Sequence, residues 1–384
     1  MKKPKPAFNL GEKLLPQLLA RWKLLLPLAV AIVLVVLARL FPGFANLYMG
    51  SVYRVLAAIF VNLFGLLPFS VAEFVAYLLP LVLLFFLVRF IIRVVRARGL
   101  WYRQLGYSFF RGVVCVGMVA LVFIAGWGVS YYRYPFAQLA NLPVQAADTQ
   151  ELAALCTDLG AAAGQLRTQV AENEDGVFTL PYDRYECMNQ VRYGYAAAAE
   201  AFPALAGTYA RPKPVLASRA LSALDISGIY IPFTFEANVN ADMPAAITPF
   251  TASHEAAHAL GFGREDESNF IAYLACKAHP DVSFRYSGTL YALIYALNAL
   301  YDYDPSGYYD IVYDLDAGIL RDLEANRVYW QQFEGPLQEV QSSINDAYLK
   351  ANGQTEGVRS YGRMVDLLLA YRRTGGMEQA AARA

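Results

Sequence analysis

Long apolar runs dominate the first third of the chain. Three of them have the length and the scarcity of charge of a membrane-spanning helix, at about residues 24–40, 71–92 and 112–132. A fourth apolar run, residues 55–72, contains polar and helix-breaking residues and joins the second span without a loop. Because two full crossings there would need a very tight turn, the pattern predicts an interfacial or re-entrant helix at about 52–67.

Beyond these runs the hydrophobic pattern becomes that of a folded domain. Alanine-rich amphipathic periodicity predicts helices at residues 151–172 and 182–202. Residues 227–240 are rich in β-branched and aromatic side chains, and the glycine and proline among them indicate an exposed edge strand and a turn. Helical periodicity resumes at Thr251 and continues to the end, interrupted by turn residues.

Charge divides the chain at the same place. Residues 1–132 hold 14 Lys and Arg against 2 Asp and Glu, whereas residues 133–384 hold 18 against 30. We therefore predict a mainly α chain, with a three-helix membrane region at 1–132 and an α+β domain with a small sheet at 133–384. The acidic second part offers no basic surface, glycine-rich phosphate loop or zinc-finger spacing, so nucleic acid is not an expected partner.

The basic residues of the first part predict its orientation in the membrane. They precede the first span and fill the connection between the second and the third, so the positive-inside rule puts both segments in the cytoplasm. The first apolar run lacks a cleavage pattern and should act as an uncleaved anchor. We expect a multi-pass protein of the cytoplasmic membrane, with its N-terminus inside and residues 133–384 outside. The basic residues concerned are Lys2, Lys3, Lys5, Lys13, Arg21, Lys23, Arg93, Arg96, Arg98, Arg103 and Arg111.

Four cysteines are too few for a disulfide scaffold. Cys156 and Cys187 would lie in the outer domain, where a bridge between them can form in an oxidising compartment. Two small buried apolar thiols fit the sequence equally well. The sequence leaves both alternatives open.

The chain has three histidines, and two of them form the motif His254-Glu255-Ala256-Ala257-His258. On a helix, positions i and i+4 share one face, so both imidazoles can bind one Zn²⁺ from adjacent turns. Glu255 lies one position along, where it can act as a general base without being a ligand. Thr251 or Ser253 is expected to cap this helix, and Gly261 with Gly263 to end it.

Catalytic zinc usually has three protein ligands, so a third is expected nearby. An acidic triplet after the glycine turn opens a new helix, and a carboxylate in its first turn can return to the histidine pair. Glu265 shares a helix face with Asn269, which could hydrogen-bond a ligand histidine. Glu267 lies on the face of apolar residues. Helix geometry therefore favours Glu265 as third ligand, with Glu267 as the alternative.

Further residues are candidates for substrate binding. Tyr230 in the predicted edge strand, and Glu236 and Asn238 beyond it, are placed as substrate contacts of an edge would be. His279 and Tyr286 follow the ligand helix and could stabilise an oxyanion. A helix C-terminus and a packing aromatic are the alternative interpretation of that second pair.

Taken together, the motif and the glutamate that begins the next helix resemble the gluzincin metallopeptidases, in which that glutamate is the third zinc ligand. Residues 227–240, 254–276, 348–354 and 357–361 resemble a family of bacterial multi-span membrane proteins with a gluzincin-like outer domain and no established substrate. The resemblance implies a zincin-like outer domain, with the sheet beside the motif helix. Only six residues separate His258 from Glu265, fewer than gluzincins usually have.

The expected function is zinc-dependent hydrolysis of peptide bonds, in peptides or proteins, at the outer face of the membrane. An intramembrane protease is disfavoured because charged residues 264–267 follow the motif and no apolar run encloses it. The non-enzymatic alternative is a membrane sensor or assembly factor with a structural or degenerate metal site. A structural site would need a fourth protein ligand, and Glu267, Cys276 and His279 are the candidates.

Overall fold

The computed structural model describes residue 9, residues 12–356 and residues 363–377. Those residues form a mainly helical fold with one small sheet, as the hydrophobic pattern predicts. The first part contains α1 (Leu14–Leu19), α2 (Leu26–Leu40), α3 (Pro42–Tyr48), α4 (Arg54–Gly65), α5 (Val71–Arg96) and α6 (Trp101–Gly126). The second part contains α7 (Phe136–Leu139), α8 (Thr149–Arg167), α9 (Arg184–Ala201), β1 (Lys213–Val215), α10 (Ser218–Ala223), β2 (Gly228–Ile231), β3 (Glu236–Asn240), α11 (Thr248–Ala259), α12 (Glu265–Ala278), α13 (Val282–Tyr303), α14 (Pro305–Tyr313), α15 (Ala317–Gln331), α16 (Pro336–Ala351) and α17 (Met364–Arg373).

Four helical stretches of the first part are compatible with a membrane-spanning protein. By length and composition, Trp22–Leu40, Pro42–Gly65, Val71–Arg96 and Trp101–Gly126 could each cross a bilayer. Their outward faces carry many exposed leucine, valine and phenylalanine side chains. Residues 357–361, which contribute to the family resemblance, lie outside the described residues, as do Lys2, Lys3 and Lys5.

Helices α2 and α6 lie side by side and run in the same direction. A methyl group added at Gly117 in the middle of α6 would lie 2.8 Å from the Leu28 Cβ, so the two backbones approach closely there. The earlier residues Gly106 and Leu14 meet in the same way. Helix α5 precedes α6 through a short turn and packs against it in the opposite direction. The starts of α2 and α6 and the end of α5 therefore lie together.

The stretch Pro42–Gly65 lies along the second part of the chain and includes a π-helical turn at Met49–Tyr53. A methyl group added at Gly43, near its start, would lie 3.4 Å from the Tyr134 hydroxyl. At its other end, the Phe64 carbonyl accepts a hydrogen bond of 2.7 Å from Lys213. Both ends of this stretch thus contact residues that follow α6. The helix begins about ten residues before the predicted interfacial segment, because α3 and the π-helical turn continue it backwards.

Two buried carboxylates join α5 to the second part of the chain. The Glu236 carboxylate, on β3, accepts hydrogen bonds from the backbone N–H groups of Val71 and Ala72 at 3.0 and 2.8 Å. It also forms a buried ion pair of 2.6 Å with Lys213. In the other direction, Glu73 in the first turn of α5 accepts hydrogen bonds from the N–H groups that precede α10. Each carboxylate satisfies helix N-terminal donors of the other part, which fixes α5 against the sheet.

The core of the second part is built from α8, α9, α11, α12 and α13, whose buried apolar residues form one cluster. Beside it lies a three-stranded sheet of order β1-β3-β2. Strands β1 and β3 are parallel, and β2 and β3 form an antiparallel hairpin in which Gly228 pairs with Val239. The central strand is therefore β3, and β2 is an edge strand against α11.

Two local features differ from the sequence prediction. Helix α11 begins at Thr248, with Pro249 in its first turn and without a side-chain cap, so Thr251 and Ser253 lie inside the helix. The predicted caps are wrong because proline is well suited to a helix start and extends this one backwards. The third apolar helix ends at Gly126, and Gly128–Tyr132 forms a short 3₁₀ turn that is largely buried.

The cysteines are unbridged in the described structure. Cys156, Cys187 and Cys276 are buried free thiols, and Cys115 is exposed on α6. Burial raises the pKa of the Cys156 thiol to about 12, so it is an unreactive apolar side chain. Of the two alternatives for Cys156 and Cys187, the structure has the buried thiols.

Candidate metal centre

Two histidines and a glutamate converge at the junction of α11 and α12. The Glu265 Oε2 atom lies 3.2 Å from His254 Nε2 and 3.4 Å from His258 Nε2. Within the described part of the chain, this is the group of three metal-binding residue types whose donor atoms lie within 4.8 Å of one another. All three side chains are buried. The structure therefore brings together the histidine pair and the favoured third ligand.

The donor set suits a divalent metal ion. Two imidazole nitrogens and one carboxylate oxygen are a common zinc ligand set with one position left open. The buried carboxylate oxygens Glu255 Oε2 and Glu265 Oε2 have no hydrogen-bond partner among the described residues. Buried polar atoms are usually satisfied, so these two oxygens fit a bound cation and its water.

A tight turn makes the short connection between His258 and Glu265 sufficient. Helix α11 ends at Ala259, and Gly261 adopts a φ of 88°, a left-handed conformation that favours glycine. Glu265 is then the first residue of α12. The buried Arg133 guanidinium donates a 3.0 Å hydrogen bond to the Gly261 carbonyl and so holds the turn. Because α12 begins at the site, its first side chain reaches the histidine pair without a longer insertion.

Hydrogen bonds orient the second histidine. The Nδ1 atom of His258 lies 2.8 Å from the Phe262 carbonyl oxygen, which can only accept. This contact assigns the proton to Nδ1 and leaves the Nε2 lone pair directed at the cluster. The Ser268 hydroxyl donates to the same carbonyl at 3.0 Å and lies 3.2 Å from Nδ1. Sequence reasoning missed Ser268, although it lies three residues after Glu265 and hence on the same helix face.

Glu255 lies beside the cluster and is almost completely buried. Its carboxylate packs against Gly228 at the start of β2, where an added methyl group would lie 2.5 Å from Oε1. Burial raises the pKa of Glu255 to about 7, while the charges of the two histidines act in the opposite direction. A carboxylate with such a pKa can accept and return a proton near neutral pH.

The charges of the ligands shift one another's pKa values. Burial by itself lowers the pKa of His258, but the negative charge of Glu265 beside it raises the pKa to about 9. Burial by itself raises the pKa of Glu265, and the charges of His258 and His254 hold it well below its usual range. Without a cation, a proton on His258 therefore balances the Glu265 carboxylate. A metal ion would have to replace that proton.

Aromatic residues from distant parts of the chain form one wall of the site. The Trp127 ring meets the His258 ring edge to face, with centroids 5.2 Å apart. Its Nε1–H lies 3.1 Å from the Tyr131 hydroxyl and 3.0 Å from the Tyr348 hydroxyl. Gln354, after α16, accepts a hydrogen bond from the Glu265 N–H at 3.3 Å. Their positions depend on the tertiary fold, and the only sequence signal was the resemblance of residues 348–354.

Glu267 and Asn269, the other predicted residues of α12, are also buried. The Glu267 carboxylate accepts hydrogen bonds from the Phe136 N–H at 3.0 Å and from Arg264 at 2.7 Å. It thereby ties α12 to the segment that follows α6. Asn269 donates a 3.2 Å hydrogen bond to the Tyr295 hydroxyl. The structure thus places Glu265 in the cluster and gives Glu267 a structural contact.

His279 and Tyr286, the predicted oxyanion pair, have their described contacts with residues outside the metal-ligand cluster. His279 Nδ1 accepts a hydrogen bond of 3.0 Å from the Asp281 N–H, and its ring stacks on Phe284 at the start of α13. The Tyr286 hydroxyl donates to Asp322. These contacts match the packing interpretation. His279 and Tyr286 accordingly differ from the prediction, because α12 is 14 residues long and its C-terminal end, where both lie, is about 20 Å from Glu265.

The predicted substrate contacts also differ in role. Glu236 is engaged in the junction with α5, and Asn238 donates to the Ile229 and Glu236 carbonyls at 3.2 and 3.1 Å. Both residues belong to the central strand, which explains why neither lies at the sheet edge. Tyr230 is on the edge strand, but its buried ring packs beside those of Trp127 and His258, with centroids 4.8 and 6.3 Å away, and its hydroxyl is 3.3 Å from that of Tyr53.

Comparison with known proteins gives a family. A family model described as "Protein of unknown function (DUF3810)" matches residues 48–369, which include the metal-ligand cluster and the aromatic wall. No curated protein and no solved structure matches the chain significantly. Since the family model covers well over half of the chain, the chain belongs to the DUF3810 family.

Proposed function

We propose that this chain is a membrane-anchored zinc metallopeptidase that hydrolyses peptide bonds at the outer face of the cytoplasmic membrane. The observation that carries the proposal is the convergence of His254, His258 and Glu265, with Glu255 beside them and outside the ligand set. When bound there, zinc would supply Lewis acidity for a water molecule and for the scissile carbonyl. Three protein donors leave a position open for the reaction, which favours catalysis over a structural site.

Glu255 would be the proton carrier of the reaction. It accepts a proton as the water oxygen forms its bond to the scissile carbon, and it returns that proton to the amine as the carbon–nitrogen bond breaks. Its pKa of about 7 suits both transfers near neutral pH. The Phe262 carbonyl, to which Ser268 also donates, holds the His258 imidazole in position as a ligand throughout the reaction. The net reaction consumes one water and releases a carboxylate and an amine.

The fold around the cluster supports a zincin-like assignment for the second part. Helix α11 carries the histidine pair beside the sheet, and the next helix supplies the glutamate. The edge strand β2 lies against α11, and an extended peptide or protein segment could add to its free edge as a further strand. The ligand set and the position of Glu255 correspond to a gluzincin-like site.

Contacts of Pro42–Gly65 support the three-span topology. This stretch has 24 residues and, as a helix, is about 36 Å long, enough to cross the hydrocarbon core. A helix that crossed would present its two ends on opposite faces of the bilayer. Both ends instead contact residues of the second part, Tyr134 and Lys213. We propose that it lies in the interface, so that α2, α5 and α6 cross and the peptidase domain is outside.

Activity of a Glu255→Gln variant tests the proposal. The purified full-length protein should cleave peptides from a library, and a zinc chelator should abolish this cleavage. Glu255→Gln should lose hydrolysis by at least 100-fold and keep its zinc, because Glu255 is not a ligand. A variant that cleaves as fast as the unmodified protein would exclude this role. Zinc without any hydrolysis in the unmodified protein would favour the sensor or assembly factor.

A further inference from the structure

The candidate metal centre lies directly at the end of an apolar helix. Trp127 follows Gly126, the last residue of α6, and its ring contacts the His258 ring. From the stretch Pro42–Gly65, the Tyr53 hydroxyl donates a 3.0 Å hydrogen bond to the Ala259 carbonyl at the end of α11. One side chain therefore separates the ligands from α6, which the proposed topology puts in the bilayer, and another links α11 to the interfacial stretch Pro42–Gly65.

The turn of the β2–β3 hairpin contacts the end of α6. A methyl group added at Gly126 would lie 3.2 Å from the Pro232 carbonyl oxygen in the hairpin turn. The Phe233 ring, also in that turn and 47% exposed, lies 6.5 Å from the ring of Phe123. Phe123 is about one turn back from the end of α6. The hairpin tip is thus at the level of the last apolar turn of the span.

The other apolar helices end at this level as well. Helix α2 ends at Leu40, with Arg39 exposed in its last turn, and α5 begins at Val71, with Glu73 in its first turn. A charged side chain exposed on a spanning helix stays near the polar boundary of a bilayer, so Arg39 marks its position. The hairpin tip lies beside this boundary, because Glu236 at its end holds the N-terminus of α5.

Strand β2 connects that boundary to the general base. It begins at Gly228, against the Glu255 carboxylate, and ends at Ile231, roughly 10 Å further along, where the turn that carries Phe233 begins. The Asn240 N–H bonds to the Ser227 carbonyl, so the alternation of an antiparallel ladder turns the backbone groups of Gly228 and Tyr230 away from β3. A strand added to this free edge would run between the membrane boundary and Glu255.

We infer that the substrates are membrane-anchored polypeptides, cleaved about four to eight residues from the point where they leave the bilayer. This inference rests on the proposed peptidase function. An anchored chain emerges beside the apolar tip at Phe233 and can pair with β2 at once, with its scissile bond at Glu255. A soluble chain bound along the same edge would have to push one end against the bilayer, where its unpaired polar backbone is disfavoured.

Cleavage position along a tethered library tests this inference. A randomised segment of about 25 residues is fused to a single transmembrane helix, at either end, and reconstituted with the full-length protein in phosphatidylcholine–phosphatidylglycerol vesicles. Mass spectrometry should find the cuts concentrated about four to eight residues from the anchor. Cuts spread evenly along the segment would overturn the inference.

A matched pair of substrates separates membrane tethering from simple concentration. A sequence cleaved in the library is placed on the same anchor either directly or behind a flexible Gly/Ser spacer of about 30 residues. Both substrates are confined to the membrane, but only the direct fusion presents the bond at the hairpin, so it should be cleaved at least ten-fold faster. Equal rates would refute the inference and leave the peptidase intact. Absence of cleavage in every substrate, soluble peptides included, would refute the peptidase as well.

Discussion

Substituting Gly228 by alanine should disable Glu255 and leave the metal ligands in place. The added methyl group would lie 2.5 Å from Glu255 Oε1, 2.7 Å from Cγ and 2.8 Å from Cδ. Ordinary carbon–oxygen contact begins near 3.4 Å, so the carboxylate must shift by about 1 Å. A misplacement of that size costs about 100-fold in rate, or about 2.7 kcal/mol of transition-state stabilisation.

The assay compares Gly228→Ala with the unmodified protein for kcat/KM on a library-derived peptide and for zinc per chain. Gly164→Ala is a matched control, because its methyl group would meet only the Asp316 Cβ, at 3.9 Å. The control should keep full activity. We expect Gly228→Ala to lose about 100-fold in kcat/KM with unchanged zinc and a similar melting temperature. Wild-type activity in this variant, or loss of zinc together with activity, would refute the proposed geometry.

Three further predictions concern the ligands and the junction with α5. Zinc affinity should fall about ten-fold per pH unit below pH 9, because the pKa of His258 is raised to about 9 and zinc must displace its proton. Competition with a chromophoric chelator at pH 6, 7 and 8 measures this dependence, and an affinity that does not change with pH would contradict it. Ser268→Ala should weaken zinc binding about ten-fold in the same assay by loosening the carbonyl that orients His258, and an unchanged affinity would show that this serine is dispensable. Lys213→Met should leave the Glu236 charge buried without its partner and destabilise the protein by about 3 kcal/mol, and the double variant Lys213→Met with Glu236→Gln should recover part of the loss. Thermal unfolding in detergent measures both variants, and no change in melting temperature would argue against the ion pair of Lys213 and Glu236.

The motif helix and its ligands could be predicted because their geometry is local. The spacing of His254 and His258 fixes a shared helix face, and the preference for Glu265 over Glu267 follows from the same periodicity. The structure brings the three favoured residues together. The caps of α11 could not be read in this way, since Ser253 and Thr251 suit a helix start but Pro249 suits it as well and lies earlier.

The features that could not be predicted from the sequence depend on packing between distant parts of the chain. Alternation along residues 227–240 predicts a strand and a turn, but it cannot tell which strand is central. That position depends on the parallel pairing of Lys213–Val215 with β3, from more than twenty residues upstream. The wall formed by Trp127 and Tyr348 joins positions 221 residues apart, and no local pattern relates them. Gly228 gave a sequence signal as a strand glycine, but its contact with Glu255 needs the fold.

X-ray absorption at the zinc edge of the full-length protein shows whether His254, His258 and Glu265 hold a catalytic zinc ion. We expect one zinc per chain with two imidazole nitrogens near 2.0–2.1 Å, one carboxylate and an exchangeable water, and no sulfur donor. His254→Ala should remove this signal, since it deletes a ligand. A shell of four protein donors without water, a sulfur donor near 2.3 Å, or no zinc at all would contradict a catalytic zinc site.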